Sequence, residues 1–330
     1  MDHLGVLCEG LAIPLYVTEL ETFKAAKEFY PGLHVEYIDL AELSLDFLAE
    51  RADVIFESGH TFAIELIPFW EMLHEKKMRV VYCPHGNSDK RSPQLRKDIS
   101  LIYGDHMKNH LTQTGEISML EKIIATGNYR IAYYRAHQKW YDQKLEALLK
   151  NRINPEKKTI FYAPTWESDS LSWYRAIEET ASRFNLLLRL HPFLEELYPV
   201  EHEKIKYLCD RTPGVINLSK FPSIYPIINR SDYYLGDFSS IGYDFLTMNK
   251  PLFFLNRHDG EIYECGVTLE EGQSIGEVIE AFQDNATLCE KRKKLAWKVF
   301  GPEKNCEMIR SEIKEALSFD RASWIITPIA

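Results

Sequence analysis

Most of the short signatures that identify a chemistry are missing from this chain. No two of its six cysteines (Cys8, Cys83, Cys209, Cys265, Cys289 and Cys306) have the C-x-x-C spacing of a zinc or redox site. They are too scattered for a dense disulfide framework, so reduced thiols in a cytosol are the simplest reading. There is no H-E-x-x-H, and no metal is expected. The absence of G-x-x-x-x-G-K-[ST] excludes an NTPase P-loop, and no G-x-G-x-x-G follows a strand, which disfavours a nicotinamide or flavin dinucleotide site. No apolar run approaches the roughly 20 residues that span a bilayer. "TFAIELIPFW" is interrupted by Glu65 and Pro68. The start, "MDHLGVLCEG", has no basic region ahead of a long apolar stretch and does not read as a secretory signal. Basic charge is outweighed, 39 Lys and Arg against 49 Asp and Glu, for a net charge of −10. That excludes a general nucleic-acid coat but not a local basic cleft for a phosphorylated ligand. No low-complexity tail is present.

What is there is a folded protein. Of 330 residues, 45% are hydrophobic and 27% charged, enough for one large domain or two ordinary ones. Apolar runs alternate with amphipathic ones. "LGVLC", "HVEYIDL", "DVIFESG" and "MRVVYCPHG" read as strands. "LETFKAAKEFY", "LSLDFLAERA" and "FAIELIPFWEMLHEK" read as helices between them. "YRIAYYRAHQKWYDQKLEALLKN" reads as one long helix. The polar stretch Asn151–Thr159 breaks the rhythm and serves as a linker. After it, "TIFYAP", "NLLLRLHP", "GVINL", "DYYLGD" and "KPLFFLN" read as further strands. The expected fold is α/β, with two Rossmann-like domains, 1–150 and 151–330, facing across a cleft, and parallel sheets covered by helices. The last helix is expected to cross back to the first domain.

Several strands end alike. "VVYCPHG" closes at His85, "IFYAPTW" at Thr165 and "LLLRLHP" at His191, each with a proline beside the polar residue. Proline cannot continue a ladder, so the polar group falls at the carboxyl end of a strand, where parallel α/β sheets bind ligands. "YYLGDFSSIGYDF" ends likewise at Asp237, followed by Ser239 and Ser240 in the first turn of a helix. A lone histidine at a strand end is more often structural than catalytic, and Asp237 by itself reads as a helix cap. Four such ends across two halves favour a site. The first helical turn after Asp237 suits phosphate. Lys90, Arg91, Arg96 and Lys97 make the loop after Gly86 basic. Arg257, Asp259 and Tyr263 follow a later strand, where Tyr263 could stack on a base or simply pack.

Taken in order, His85-Gly86 with Lys90, "TGNYR", "YAPTW", "LRLHP", "SDYYLGDFSSIGYDFLTMNKPLFFL" and "DGEIY" resemble the CDP-glycerol glycerophosphotransferase family of teichoic acid primases and polymerases. The resemblance runs from about Val80 to Tyr263. It implies a GT-B fold and metal-independent transfer of glycerol phosphate, or a related polyol phosphate, from a CDP-activated donor to an acceptor hydroxyl with release of CMP. It needs no cofactor. His85 and His191 are implied as the residues important for activity, with His85 as base. Arg189, Thr165, Asp237, Ser239 and Ser240 would serve the donor, supported by Gly86, Lys90, Arg257, Asp259 and Tyr263. The acceptor would be lipid-linked or a glycan, the location cytoplasmic at the inner face of the membrane, and the contact with it peripheral. A GT-B glycosyltransferase using another nucleotide sugar, a nucleotide-sugar epimerase, and a non-catalytic nucleotide-binding module stay open beside this reading.

Overall fold

A computed structural model describes residues 1–58, 62–87, 99–120, 122–165, 170–237, 239–256, 258–317 and 324–326. The first strand expected from the sequence is a helix. "LGVLC" belongs to α1 (Leu4–Leu11), which buries Leu4, Val6, Leu7, Cys8 and Leu11. A short apolar run with every residue covered has no periodicity to separate strand from helix. The elements that follow are β1 (Leu15–Val17), α2 (Leu20–Phe29), β2 (Val35–Tyr37), α3 (Leu45–Arg51), β3 (Val54–Glu57), α4 (Phe62–His74) and β4 (Arg79–Tyr82). Next come β5 (Ile99–Ile102), α5 (Asp105–Gln113), β6 (Lys122–Ala125) and α6 (Tyr129–Ala136). β1 and β2 form a separate parallel pair. β3, β4, β5 and β6 lie side by side, all parallel. Val54–Phe56, Val80–Tyr82 and Ile99–Ile102 are buried, as both faces of a helix-covered parallel sheet require.

The long helix expected after Tyr129 is broken. α6 stops at Ala136, and α7 (Gln138–Leu149) starts after His137. The chain divides there into compact units, one of Met1–Ala136 with Lys298–Ala330, the other of His137–Trp297. This places the boundary before α7, not at Asn151–Thr159. The reason lies in the polar stretch itself. Asn185 donates to the carbonyls of Asn154 (2.8 Å) and Lys157 (3.1 Å) and accepts from the Asn154 amide (2.8 Å), so these residues are pinned to the second unit.

The second unit continues with β7 (Thr159–Ala163), α8 (Ser170–Thr180), β8 (Asn185–Leu188), α9 (Pro192–Leu197), α10 (Pro199–Arg211), β9 (Val215–Asn217), α11 (Tyr225–Arg230) and β10 (Tyr233–Gly236). α12 (Ser240–Phe245), β11 (Leu252–Phe254), β12 (Val267–Thr268), α13 (Ile275–Ala281) and α14 (Ala286–Phe300) complete it. Its sheet has the order β12-β11-β10-β7-β8-β9, all parallel. From β7 the chain winds outward through β8 to β9, then returns to the other side for β10. The strand order therefore reverses between β7 and β10, the position at which open α/β sheets bind ligands. Ile160, Tyr162, Leu186, Leu188, Leu235 and Phe253 pack with Ile177, Ile205 and Ile279 to fill the core on one side.

Within α14 the chain passes back to the first unit. α15 (Cys306–Leu317) then packs on α1, and β13 (Trp324–Ile326) joins β3 in parallel, giving the order β13-β3-β4-β5-β6. Among the described residues, no helix is long and apolar enough to cross a membrane. The six cysteines form no disulfide.

Candidate active site

The carboxyl edge of the second unit's sheet gathers the polar strand ends. Ala163-Pro164-Thr165 leaves β7 and Gly236-Asp237 leaves its neighbour β10, on either side of the reversal. The two ends are clamped together. The Thr165 amide donates to Asp237 Oδ1 and Oδ2, both at 3.0 Å, and the Thr165 hydroxyl donates to Oδ2 at 3.1 Å. Thr165 and Asp237 are 8% and 5% exposed, so the bonds are shielded from water. The helix cap expected of Asp237 is made by Ser239, whose Oγ accepts from the Ile241 amide at 3.4 Å. Asp237 is drawn to Thr165 because the β7 loop offers its carboxylate both an amide and a hydroxyl.

Ser240 is the first residue of α12 and, like Ser239, half-buried. The Tyr234 ring lies under this turn. A Cβ at Gly236 would stand 2.1 Å from the Tyr234 hydroxyl oxygen, so the strand can end here only in glycine. Burial pushes the Tyr234 phenol well above its ordinary value, and the Asp237 carboxylate adds to the effect.

On β8's side, His191 caps α9 with Pro192 at the first helical position. Its Nδ1 accepts from the Phe193 amide at 3.2 Å. A nitrogen that accepts carries no proton, so the neutral ring has its N–H at Nε2. His191 is thus set to offer a donor from a half-buried position. Arg189 sits just before it. Both its terminal nitrogens are engaged, Nη1 with the carbonyl of Phe221 (2.9 Å) and Nη2 with that of Pro222 (3.1 Å). The Leu190 amide donates to Ser219 Oγ, which itself bonds Asn217. The end of β8 is therefore laced to the loop after β9, an arrangement for which the sequence carried no signal.

Asp259 is exposed. Tyr263, on a 3-10 turn Glu261–Cys265, is 2% exposed with its ring 4.7 Å from that of Phe254, so it packs in the core. Lys90 and Arg257 lie outside the described residues, as do Arg91, Arg96 and Lys97.

The first unit has its own cluster at the carboxyl edge. β4 runs into Cys83-Pro84-His85-Gly86, and Gly86 has φ of 98°, a left-handed conformation that a side chain would strain. His85 is exposed. Its Nδ1 is 3.5 Å from the hydroxyl of Ser58 at the end of β3, and its ring centroid is 5.1 Å from that of His3. Asn87, 1% exposed, bonds His106 Nδ1 at 3.2 Å. Sequence reasoning missed Ser58, Asn87, His106 and His3. Ser58 was within reach of it, since "VIFESG" is one more apolar run with a polar end.

"TGNYR", quoted above without a role, is a scaffold for this cluster. The Thr126 hydroxyl donates to the Ile102 carbonyl (3.0 Å), and Asn128 Oδ1 accepts from the Ile131 amide at the start of α6 (3.1 Å). The Tyr129 hydroxyl donates to the His3 carbonyl (3.4 Å), and Arg130 forms a buried ion pair with Asp2 at 3.2 Å.

Comparison with known proteins bears on the family and the fold. Residues 72–291, more than half of the chain, match the profile of the family described as CDP-Glycerol:Poly(glycerophosphate) glycerophosphotransferase. A teichoic acid poly(ribitol-phosphate) polymerase of Bacillus spizizenii is 22% identical over 189 residues, 52% of this chain and 28% of that protein. A teichoic acid glycerol-phosphate primase from the same species is 28% identical over 139 residues, 40% of this chain and 33% of that protein. The chain thus spans about a third or less of the length of the curated relatives it matches. Among solved structures, the wall teichoic acid polymerase TagF superposes with a TM-score of 0.59 at 14% identity, covering 93% of this chain and 90% of that one. The UDP-GlcNAc 2-epimerase of Neisseria meningitidis gives 0.55 at 16%, covering 96% of each. At these identities the likeness is one of fold, the GT-B type. The matched span contains the His-Gly loop, the Thr165–Asp237 clamp, His191 and the Ser239–Ser240 turn, and the chain belongs to the CDP-glycerol:poly(glycerophosphate) glycerophosphotransferase family.

Proposed function

We propose that the protein is a transferase that moves glycerol phosphate, or a related polyol phosphate, from a CDP-activated donor to an acceptor hydroxyl. The acceptor oxygen bonds to the phosphorus bearing the polyol, the diphosphate bridge to the cytidine phosphate breaks, and CMP leaves. His85 takes the proton of the attacking hydroxyl. In the second unit the Ser239–Ser240 turn and the Nε2–H of His191 face the donor phosphates, so the charge that grows on departing CMP meets donors already in place. Arg189 and Asp237 hold the loops that carry them, with Thr165 as Asp237's partner. The mechanism uses no metal. The acceptor is lipid-linked or a glycan, and the reaction belongs on the cytoplasmic side, at the membrane surface.

The observation that carries this reading is the convergence of Thr165, His191, Asp237 and Ser239 on one sheet edge at the strand-order reversal, inside the family match. The test is a thermal-shift panel of CDP-glycerol, CDP-ribitol, UDP-sugars and CMP-sialic acid, followed by a CMP-release assay with a polyol-phosphate acceptor. Cytidine nucleotides should stabilise the protein above uridine nucleotides. Preference for UDP-sugars would replace this reading with the glycosyltransferase or epimerase one. Binding without CMP release in the presence of acceptors would reduce it to a binding module.

A further inference from the structure

His3 stands out because so much holds it in place. Asp2 before it is locked to Arg130 in a pair that is 8% and 1% exposed. Its carbonyl takes the Tyr129 hydroxyl, its Nδ1 pairs with the Tyr103 hydroxyl at 3.1 Å, and the Tyr103 and Tyr129 rings stack at 5.8 Å. Arg130 lies over the Tyr103 ring at 5.4 Å. The segment is anchored by β5 and α6 so that one imidazole lies against another, 5.1 Å between centroids and 31° between planes. His3 also lies outside the span of the family match.

We propose that His3 is a positioning residue for His85, packing against its ring and keeping it uncharged in the orientation set by Ser58. The inference rests on His85 acting as the base. Two imidazoles this close titrate as a pair, and a proton on one opposes a proton on the other. The pair therefore loses its second proton at lower pH than a lone imidazole would. His85 remains able to accept a proton in mildly acidic conditions.

Of the other groups around the pair, the Met1 amino group, whose charge acts on nearby Cys83, also opposes a proton there, and the rest do not. Asp2 and Arg130 cancel one another. Cys83, next to Pro84 on β4, is pushed up to about 12 by burial, and burial likewise raises Tyr129, so both are uncharged near neutrality. Tyr103 is a hydrogen-bond partner of His3. Glu57 is buried next to Ser58 on β3, and His106 is bonded to Asn87 beyond Gly86. All of these stay when His3 is changed, so a difference between the proteins isolates the His3 ring.

The experiment is NMR titration of histidine-labelled protein comprising residues 1–330, wild type and His3→Gln, with His85→Gln assigning the His85 signal. Glutamine keeps a polar partner for Tyr103 but carries no charge. The His85 midpoint should rise by about one pH unit in His3→Gln, which is up to about tenfold less neutral His85 at low pH. By reciprocity His3 should shift the same way in His85→Gln, and this serves as the check should His3→Gln fold poorly. The acidic limb of CMP release should move up with it while the rate at high pH stays within about twofold. An unchanged His85 midpoint, or a loss of rate equal at all pH values, overturns the proposal. If the midpoints shift but CDP-glycerol yields no CMP, the coupling stands and the transferase reading falls. If CMP is released without any shift, only the His3 inference falls.

Discussion

Replacing Asp237 tests whether the two strand ends at the reversal are one unit. The carboxylate accepts from the Thr165 amide and hydroxyl, both shielded. Hydrogen bonds to a charged group contribute about 1.5–3 kcal/mol net, and each donor left buried without a partner costs about 1–3 kcal/mol. Asp237→Ala removes the acceptor and strands both donors, so a loss of about 3–5 kcal/mol is expected. Thr165→Val removes the hydroxyl and leaves the amide on Asp237, for about 1.5–3 kcal/mol. In the alanine background the same valine should cost nothing, because it deletes a hydroxyl that has already lost its partner. The double-mutant cycle should therefore close with a coupling of about 1.5–3 kcal/mol. Equilibrium urea unfolding of the full chain and the three variants, followed by circular dichroism, measures it. Amide hydrogen exchange at Thr165 should quicken in Asp237→Ala. Additivity within about 0.5 kcal/mol would refute the clamp. CMP affinity should fall in Asp237→Ala by about tenfold or more, since a clamp loosened by 1.4 kcal/mol is enough for that.

His191→Asn should keep the cap of α9 and the melting temperature, while turnover falls by about 10²–10³, the usual cost of one transition-state donor. His191→Ala should lose the turnover and about 1 kcal/mol of stability as well, and equal turnover in both variants and wild type would remove His191 from the mechanism. The buried thiols give a pH test. Burial moves Cys83 and Cys209 from the ordinary 9.0 to about 12, and raises Cys8 well above it. Their folded values exceed the unfolded ones, so the stability they contribute is full below pH 9 and is lost as pH rises toward 12. At pH 8, alkylation of the native protein read by mass spectrometry should modify Cys289, which is half-buried, before Cys8, Cys83 or Cys209. Rapid modification of Cys83 would contradict the packing around it.

The strand ends were legible because proline and a polar residue after an apolar run leave few alternatives. "CPHG", "APTW" and "LHP" all fell at carboxyl ends of parallel strands. The partners of those ends were not legible. Thr165 and Asp237 are separated by 72 residues, and only the order β10-β7-β8 makes them neighbours. α1 was misread because a covered run of five residues carries no period. β5 and β6 were passed over, the first following directly on the polar stretch after Gly86. The break at His137 has neither proline nor glycine beside it. The role of "TGNYR" depended on residues more than a hundred positions away, Asp2 and His3.

The return of the chain after α14 bears on how the molecule is made. The His137–Trp297 unit is continuous and has all its strands once Thr268 has emerged. The unit begun at Met1 lacks α15 against α1 and β13 against the edge of β3 until the segment after Trp297 is synthesised. Domains fold as units while the chain grows from its N-terminus. Here the first unit is completed only by a segment that follows the whole of the second. In the interval β3 presents a bare parallel edge, the kind of surface that invites pairing with another nascent chain.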